Sequence, residues 1–169
     1  MGNYTGAILY YDKALAVDPR YTNALYGKGN ALDNLGNYTQ AIQYYDKALA
    51  VDPKDTQVLK NKALILFDNL GNYTGAIKYY DKALAINSTD SDALNGKGLA
   101  LLYLQNNTEA IQQFDKILSI KSIDINALVN KGMALDNMGK RTEATQYYHK
   151  ALKSKYIDNL LKAYPLNYA

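Results

Sequence analysis

A threonine followed two residues later by an alanine recurs along this chain at a nearly constant interval. It stands at Thr5, Thr39, Thr74, Thr108 and Thr142, in steps of 34, 35, 34 and 34 residues. Self-similarity at this period is typical of proteins in which each repeat is one supersecondary unit. Such a unit buries its apolar face only by stacking on its neighbours. The period therefore predicts a stacked helical solenoid.

The composition limits the chemistry that the chain offers. With 169 residues, 48% of them hydrophobic, it can bury a core without disulfides or metals. It has no cysteine and one histidine, His149, which excludes thiolate metal sites. The net charge of +3 is dispersed, unlike the concentrated basic face of most nucleic-acid binders. Without a membrane-length apolar stretch or a leader pattern, we expect a soluble, cytoplasmic protein.

Each period contains two segments with helical spacing of small and apolar residues. In the unit starting at Thr22, the first segment carries Leu25, Gly29 and Leu32. Residues 35–37 interrupt the pattern, which resumes at Ala41 and continues to Leu49. This arrangement predicts two antiparallel helices joined by a short turn.

Turn and cap residues mark the predicted helix ends. A left-handed glycine is expected after the first helix at Gly36, Gly71 and Gly139. Caps are expected for the second helices at Thr39, Thr74, Thr108 and Thr142, and for the first helices at Asp55, Asp90 and Asp124. Pro19 and Pro53 should stop the second helix.

Small and aromatic residues also recur in register. Small residues should allow close backbone approach at Gly29, Ala63, Gly98 and Gly132, and at Ala41, Ala76, Ala110 and Ala144. Rings should fill the adjacent space at Tyr45, Tyr80, Phe114 and Tyr148. With these marks the sequence resembles a tetratricopeptide repeat array.

The resemblance implies an all-α fold, a right-handed α-solenoid of antiparallel helix pairs in one domain over 1–169. The expected divisions are a half repeat with only the second helix (2–21), four repeats (22–55, 56–90, 91–124 and 125–154), and an extension or cap with a tail (155–169).

Three departures from the family pattern are visible. Leucine replaces the usual tryptophan at Leu25, Leu59, Leu94 and Leu128, and lysine occupies a usually apolar place at Lys28, Lys62, Lys97 and Lys131. The terminal proline is lost in the later repeats, where Ser88 and Ser122 stand. The repeat 56–90 also carries one extra residue near Leu64 to Phe67, which predicts either a π-bulge or a longer turn.

Several short motifs have simpler structural explanations. Asn-x-Thr sequons at Asn3, Asn37, Asn72, Asn87 and Asn106 coincide largely with helix starts and turns. The Gly-Lys-Gly sequences at 27–29 and 96–98 lie inside helices and lack P-loop spacing. His149 has no paired nucleophile and takes the place of a recurring aspartate. We therefore expect no enzyme, no catalytic residue, no metal and no cofactor.

The resemblance places a partner against the first helices, which line the concave surface of such arrays. By helical phase, the expected groove residues are Tyr26, Asn30, Asp33, Asn34, Lys60, Asn61, Leu64, Asn95, Leu99, Leu102, Tyr103, Asn130, Met133, Asp136 and Asn137. Asparagines suit a peptide backbone, and the leucines, Tyr103 and Met133 form an apolar patch towards the C-terminal half.

Some members of the family clamp a C-terminal carboxylate with cationic residues and asparagines. Asn30 and Asn61 match two of those asparagines, but Tyr26, Asp92 and Gly96 stand where lysine, lysine and arginine are needed. We therefore expect a protein-interaction scaffold that binds a peptide or helix of mixed sequence. RNA is a weaker candidate because the groove set holds Lys60 beside aspartates such as Asp33 and Asp136.

The chain ends give a second hypothesis, a self-assembling module. The half repeat should leave Ile8, Tyr11 and Leu15 without a first-helix partner, and water-exposed apolar residues forgo roughly 1.5–3 kcal/mol each. The sequence begins in mid-repeat, which suggests a fragment. At the other end, an apolar stripe is formed by Ile157, Leu160, Leu161 and Tyr164. The hypothesis pairs these two surfaces head to tail.

Overall fold

A computed structural model describes residues 2–163 of the chain, with side chains as far as Tyr156. Regular structure in this range is entirely helical. The helices are α1 (Tyr4–Val17), α2 (Thr22–Asn34), α3 (Tyr38–Val51), α4 (Thr56–Asp68), α5 (Tyr73–Ile86), α6 (Ser91–Tyr103), α7 (Asn107–Ile120), α8 (Ile125–Asn137) and α9 (Arg141–Ala163). Every described helix is too short or too polar to span a bilayer.

The helices form two compact units. The N-terminal unit contains α1–α5 and ends at Ser88, and the C-terminal unit contains α6–α9 and begins at Thr89. Within each unit, helices that are consecutive in sequence pack against each other. Connections this short join antiparallel helices. The predicted all-α solenoid of helix pairs is confirmed, whereas the prediction of one domain with those repeat boundaries stays a prediction.

The turns inside the helix pairs have the predicted left-handed residue. Gly36, Gly71 and Gly139 have φ values of 76°, 60° and 76°. In the α6–α7 turn, Gln105 adopts the same left-handed conformation, with a φ of 60°. A residue with a Cβ pays a steric cost there that glycine avoids.

The caps of the first helices are confirmed, but those predicted for the second helices are wrong. Asp55, Asp90 and Asp124 each accept hydrogen bonds from amides of the first turn that follows. Thr39, Thr74, Thr108 and Thr142 are instead the second residues of their helices. The residue before the helix is an asparagine at α1 and α5, where Asn3 and Asn72 accept bonds from Gly6 and Gly75. The asparagine precedes the helix, where its carbonyl oxygen faces the free amides.

Two of the second helices, α1 and α3, end where proline predicts. α1 ends at Val17 and α3 at Val51, both ahead of Pro19 and Pro53. The extra residue of the repeat 56–90 lies in the turn, not in a π-bulge. Helix α4 has the same 13 residues as α2, but residues 69–72 connect it to α5 where residues 35–37 connect α2 to α3.

An aromatic ring lies directly on a glycine in three of the helix pairs. A Cβ atom added to Gly29 would lie 2.5 Å from Cε1 of Tyr45. The equivalent distance is 2.5 Å for Gly98 to Phe114 and 2.4 Å for Gly132 to Tyr148. Because atoms cannot approach so closely, any larger residue would push the two helices apart. The predicted roles of these small and aromatic residues are confirmed.

The first-helix lysines join consecutive repeats. The ammonium groups of Lys28, Lys62 and Lys131 lie 4.4 Å from the ring centroids of Tyr44, Tyr79 and Tyr147, respectively. Each also pairs with an aspartate of the preceding helix, namely Asp12, Asp46 or Asp115. These lysine side chains are 12%, 7% and 13% exposed. The unusual lysine in the first helix is therefore a paired cation, buried at Lys62 and half-buried at Lys28 and Lys131.

The pKa values of Lys28 and Lys131 show that, for these two lysines, the pairing outweighs the burial. Burial lowers the pKa of Lys28, but hydrogen bonds to Asp12 and Tyr44 raise it overall above its ordinary value of 10.5. Burial also lowers the pKa of Lys131, but hydrogen bonds to Asp115 and Tyr147 raise it overall. The folded state thus holds these protons more tightly than the unfolded chain does. The stabilisation is present at neutral pH and is lost as the pH rises above 10.5.

Replacing Gln105 with glycine should stabilise the protein by about 0.5–1 kcal/mol because it relieves a left-handed side chain. The reverse change, Gly139→Gln, should destabilise it by about 1 kcal/mol, although a Cβ there meets nothing within 4 Å. Urea unfolding of both variants measures the two effects. Equal stability of all three proteins would contradict a conformational cost at this turn position.

The pair Asp46 and Lys62 should show coupling in a double-mutant cycle. Asp46→Asn should cost about 1 kcal/mol because it leaves a buried ammonium short of its counter-charge. In a Lys62→Met background the same change should have almost no effect, because methionine fills the site without charge. Denaturant unfolding of the four proteins gives the coupling. An equal loss of stability from Asp46→Asn in both backgrounds would disprove the coupling.

Candidate functional site

The first-helix surface of the N-terminal unit carries a hydrogen-bonded cluster of two asparagines and two tyrosines. The Asn61 side-chain amide of α4 donates to the Tyr26 hydroxyl at 3.0 Å and to the Asn30 Oδ1 at 2.9 Å, both on α2. The Tyr45 hydroxyl of α3 donates to the same Asn30 oxygen at 2.7 Å. The structure therefore joins predicted residues from two successive repeats into one polar cluster.

The bonding pattern determines what this cluster offers to a ligand. Asn30 uses its oxygen twice and Asn61 uses its amide nitrogen twice. Among the described residues, the Asn30 Nδ2 donor and the Asn61 Oδ1 acceptor have no protein partner. Both side chains are half-buried and held in place. One donor beside one acceptor is the complement of a peptide backbone unit.

Tyr45 is the contributor that the sequence analysis missed. It is fully buried, and its residue type and spacing predict only a core role, which its ring fulfils against Gly29. Burial, followed by the charge of Asp33, raises the pKa of Tyr45, so its hydroxyl remains a donor. The aromatic ring at this position carries a hydroxyl in α3, α5 and α9 but is Phe114 in α7. This hydroxyl was the only feature of the sequence that could have indicated a polar role for Tyr45.

The rest of the predicted N-terminal set lies at the edge of the cluster. Leu64 is 48% exposed. The Asn34 side chain donates to the backbone oxygen of Asn30 at 2.8 Å. Burial, and secondarily the negative charge of Asp68, raises the pKa of Asp33. A carboxylate of this kind favours a cationic neighbour.

The C-terminal unit also holds a bonded pair of asparagines, but at a different position, because Asn95 stands where the N-terminal unit has Tyr26. The Asn130 amide of α8 donates to the Asn95 Oδ1 of α6 at 2.9 Å, spanning the same 35 residues as the bond from Asn61 to Tyr26. In the described residues, the Asn95 Nδ2 and the Asn130 Oδ1 are again unused. Tyr103 and Met133 are 60% and 45% exposed, and Leu99 is half-buried.

One predicted residue of this unit differs from the expectation. Leu102 is only 6% exposed, so it belongs to the core and offers little surface to a ligand. Asp136 lies 3.5 Å from the Tyr148 hydroxyl, and Asn137 donates to Asn107 at 3.3 Å. Helical phase places residues on a face but does not show how far the neighbouring elements cover that face.

The residues named for self-association are also partly covered. Ile8 and Leu15 pack against the core cluster that contains Leu25, and the Tyr11 ring lies against Gly27. They lie beside α2, the first helix of the next repeat, and are half-buried, so their role in self-association stays a prediction. Ile157, Leu160, Leu161 and Tyr164 lie outside the residues whose side chains are described, although the helix α9 continues to Ala163.

The described side chains provide few groups for other chemistry. No three histidine, aspartate or glutamate residues between positions 2 and 156 are grouped as metal ligands. His149 is exposed on α9. At the place where a carboxylate clamp needs a lysine, the Tyr26 hydroxyl accepts the amide of Asn61.

Helix pairs that stack through buried small residues and present an asparagine-lined surface define a helical-repeat protein. The sequence pattern of the tetratricopeptide repeat family matches residues 1–56, 28–91, 62–123 and 125–157. The chain belongs to the tetratricopeptide repeat family.

Solved structures show the same fold. A crystal structure of MamA is 28% identical, covers 94% of this chain and 92% of its own, and superposes with a TM-score of 0.88. YrrB, described as a TPR protein with an unusual peptide-binding site, is 25% identical over 89% of this chain and 77% of its own, with a TM-score of 0.79. A tetratricopeptide repeat protein from Parabacteroides merdae is 24% identical, covers 95% of this chain and 63% of its own, and has a TM-score of 0.86. No curated protein matches the sequence.

Asp33→Asn should stabilise the protein at neutral pH, by about 0.5 kcal/mol as for other like-charge neighbours. Because the folded-state pKa of Asp33 is raised, its ionisation opposes folding above that pKa. The gain should vanish below the ordinary value of 3.8, where both states are protonated. Unfolding of wild type and variant at pH 7 and pH 3 tests this. A gain that persists at pH 3 would point to a cause other than charge.

Proposed function

We propose that this protein is a non-enzymatic interaction scaffold that holds a peptide or helix of a partner protein against its first-helix surfaces. Membership of the tetratricopeptide repeat family supports a binding role, because members typically act as scaffolds. The similarity to YrrB, whose structure is described as having a peptide-binding site, supports a peptide as ligand.

The observation that carries the proposal is the recurring asparagine pair. In both units one asparagine presents an unused donor and the other an unused acceptor, and their remaining polar atoms are bonded to each other. Preorganised amides lose little side-chain entropy on binding. They recognise the peptide backbone whatever its sequence.

The surroundings of each pair supply side-chain preference. Near Asn61, exposed Leu64 offers an apolar contact and Asp33 favours a basic ligand residue. Near Asn95 and Asn130, exposed Tyr103 and Met133 offer aromatic and flexible apolar contacts. The N-terminal pair therefore prefers a peptide segment with a basic residue, and the C-terminal pair prefers a segment with apolar residues.

Two alternatives fit the observations less well. RNA binding needs cationic groups along the ligand surface, but the first-helix lysines Lys28, Lys62 and Lys131 are buried in ion pairs. Head-to-tail self-assembly through Ile8, Tyr11 and Leu15 would use residues that already contact α2 and the adjoining core.

Selection of binders from a displayed library of random linear peptides tests the proposal. Peptides bound by the wild type should lose about five- to tenfold in affinity with Asn61→Ala or Asn130→Ala, because each loses one net hydrogen bond. Leu64→Ser is a second probe, since its exposure makes the fold insensitive to the change. Gln43→Ala, on the exposed part of α3, is the matched control. Thermal unfolding verifies that all variants fold.

Selected peptides that bind the Asn61→Ala, Asn130→Ala and Leu64→Ser variants as tightly as wild type would place the site elsewhere. If the selection yields no specific binder, the proposal that the ligand is a linear peptide is wrong.

A further inference from the structure

Two aspartates on the first helices of the N-terminal unit lack the partners that most aspartates of this chain have. Asp33 on α2 and Asp68 on α4 make no hydrogen bond and no ion pair with any residue that the structure describes. Most other described aspartates pair with a lysine, cap a helix, or accept from a turn amide or a tyrosine hydroxyl, namely Asp12, Asp18, Asp46, Asp52, Asp55, Asp90, Asp115, Asp124 and Asp136. The carboxylates of Asp33 and Asp68 are therefore available to a ligand.

These two carboxylates are neighbours. Each stands three residues before the left-handed glycine of its turn, Gly36 or Gly71, so they occupy the same level of consecutive first helices. Burial raises the pKa of Asp33, and the negative charge of Asp68 raises it further. Lys60 lies eight residues before Asp68, which is about 12 Å along α4. Two like charges thus lie together at a distance from the nearest lysine of their own helices.

The carboxylates continue the asparagine surface. On α4, Asn61, Leu64 and Asp68 follow the spacing i, i+3, i+7 and so lie along one stripe. On α2, Asp33 follows Asn30 by one turn, and the hydrogen bond from Asn61 to Asn30 joins the two helices. The stripe on α4 measures about 10 Å from Asn61 to Asp68. A long side chain of a peptide held at the asparagines can therefore reach the carboxylates across Leu64, which is 48% exposed.

Two carboxylates on separate helices fit an arginine better than a lysine. A guanidinium presents five N–H donors in a planar fork and can bond both carboxylates at once. A lysine ammonium is a compact, strongly hydrated point charge without this fork. The aliphatic part of an arginine also packs on an apolar side chain, which Leu64 provides.

The C-terminal unit does not repeat this arrangement. Three residues before its turn residues Gln105 and Gly139 stand Leu102 and Asp136. Leu102 is buried, and Asp136 lies 3.5 Å from the Tyr148 hydroxyl. The paired carboxylates therefore distinguish the N-terminal unit.

We propose that the N-terminal unit binds an arginine of the peptide ligand, with the guanidinium bridging Asp33 and Asp68. The aliphatic part of the arginine packs on Leu64, and a peptide unit next to it bonds with Asn30 and Asn61. This inference rests on the proposed function for the backbone contact and adds the side chain that the surface selects.

The probe is N-acetyl-arginine methylamide, which is one arginine between two peptide units. In an NMR titration of the whole protein, it should cause saturable shifts of the backbone amide signals of Asp33 and Asp68 and of the side-chain amide signals of Asn30 and Asn61. The citrulline analogue has nearly the same shape without the charge, and it should bind about fivefold more weakly, the upper value for an exposed ion pair. The lysine analogue should also bind more weakly than the arginine probe.

Two charge-neutralising variants locate the contact. Asp33→Asn and Asp68→Asn should each lower the affinity for the arginine probe and leave the affinity for the citrulline probe unchanged. In the double variant the preference for arginine should disappear. Glu109→Gln removes one negative charge from an exposed position on α7 and is the matched control, which should keep the full preference.

Three results would overturn the inference. These are equal affinity for the arginine and citrulline probes, an undiminished preference in the double variant, and the absence of saturable shifts at Asp33 and Asp68. Failure of the proposed function gives a different result. Asn61→Ala would then bind both probes as tightly as wild type does, and the preference for arginine would persist without the backbone contact.

Discussion

The close contact between an aromatic ring and a glycine backbone underlies both the helix pairs and the candidate site. The Tyr45 ring rests on Gly29, where even a methyl group would collide with it. That contact positions the Tyr45 hydroxyl at Asn30, which in turn receives Asn61 from the following repeat. One side chain thus connects the packing of a helix pair to the polar cluster of the proposed ligand surface. A change in helix spacing would displace the asparagines.

A second constraint operates between repeats. A lysine ammonium is removed from water between an aspartate of the preceding helix and a tyrosine ring of the next one. Burial of an unpaired cation is costly, so this arrangement requires both partners. It links the stacking of repeats to specific residues and not only to apolar area. In the last repeat, His149 stands where the other second helices carry the aspartate, and in α1 the tyrosine lacks the lysine. The two ends of the described array are therefore chemically different from its interior.

The two first-helix surfaces share an arrangement and differ in their surroundings. Both hold an asparagine pair whose internal bond leaves one donor and one acceptor for a ligand. The N-terminal unit adds a carboxylate with a raised pKa and an exposed leucine, whereas the C-terminal unit adds an exposed tyrosine and methionine. Under the proposed function, both units would recognise a peptide backbone, and the residues around each asparagine pair would set its side-chain preference.

The sequence by itself determined the features that depend on neighbouring residues. The repeat period, the glycine turns and the aspartate caps follow from helical spacing and from short-range backbone preferences. The cap of the second helix is also local: at α5, Asn72 and not the predicted Thr74 precedes the helix, so the error was one of position.

Only the tertiary structure decided the features that depend on distant segments. Helical phase places Leu102 among the predicted groove residues, but it is buried, and Ile8 is half-buried against the core beside α2. A lysine is normally a surface residue, but Lys28 is enclosed by Asp12 of α1 and Tyr44 of α3. Helical phase gives the direction of a side chain, but its exposure and its bonds are set by whatever element packs there, which no local pattern specifies.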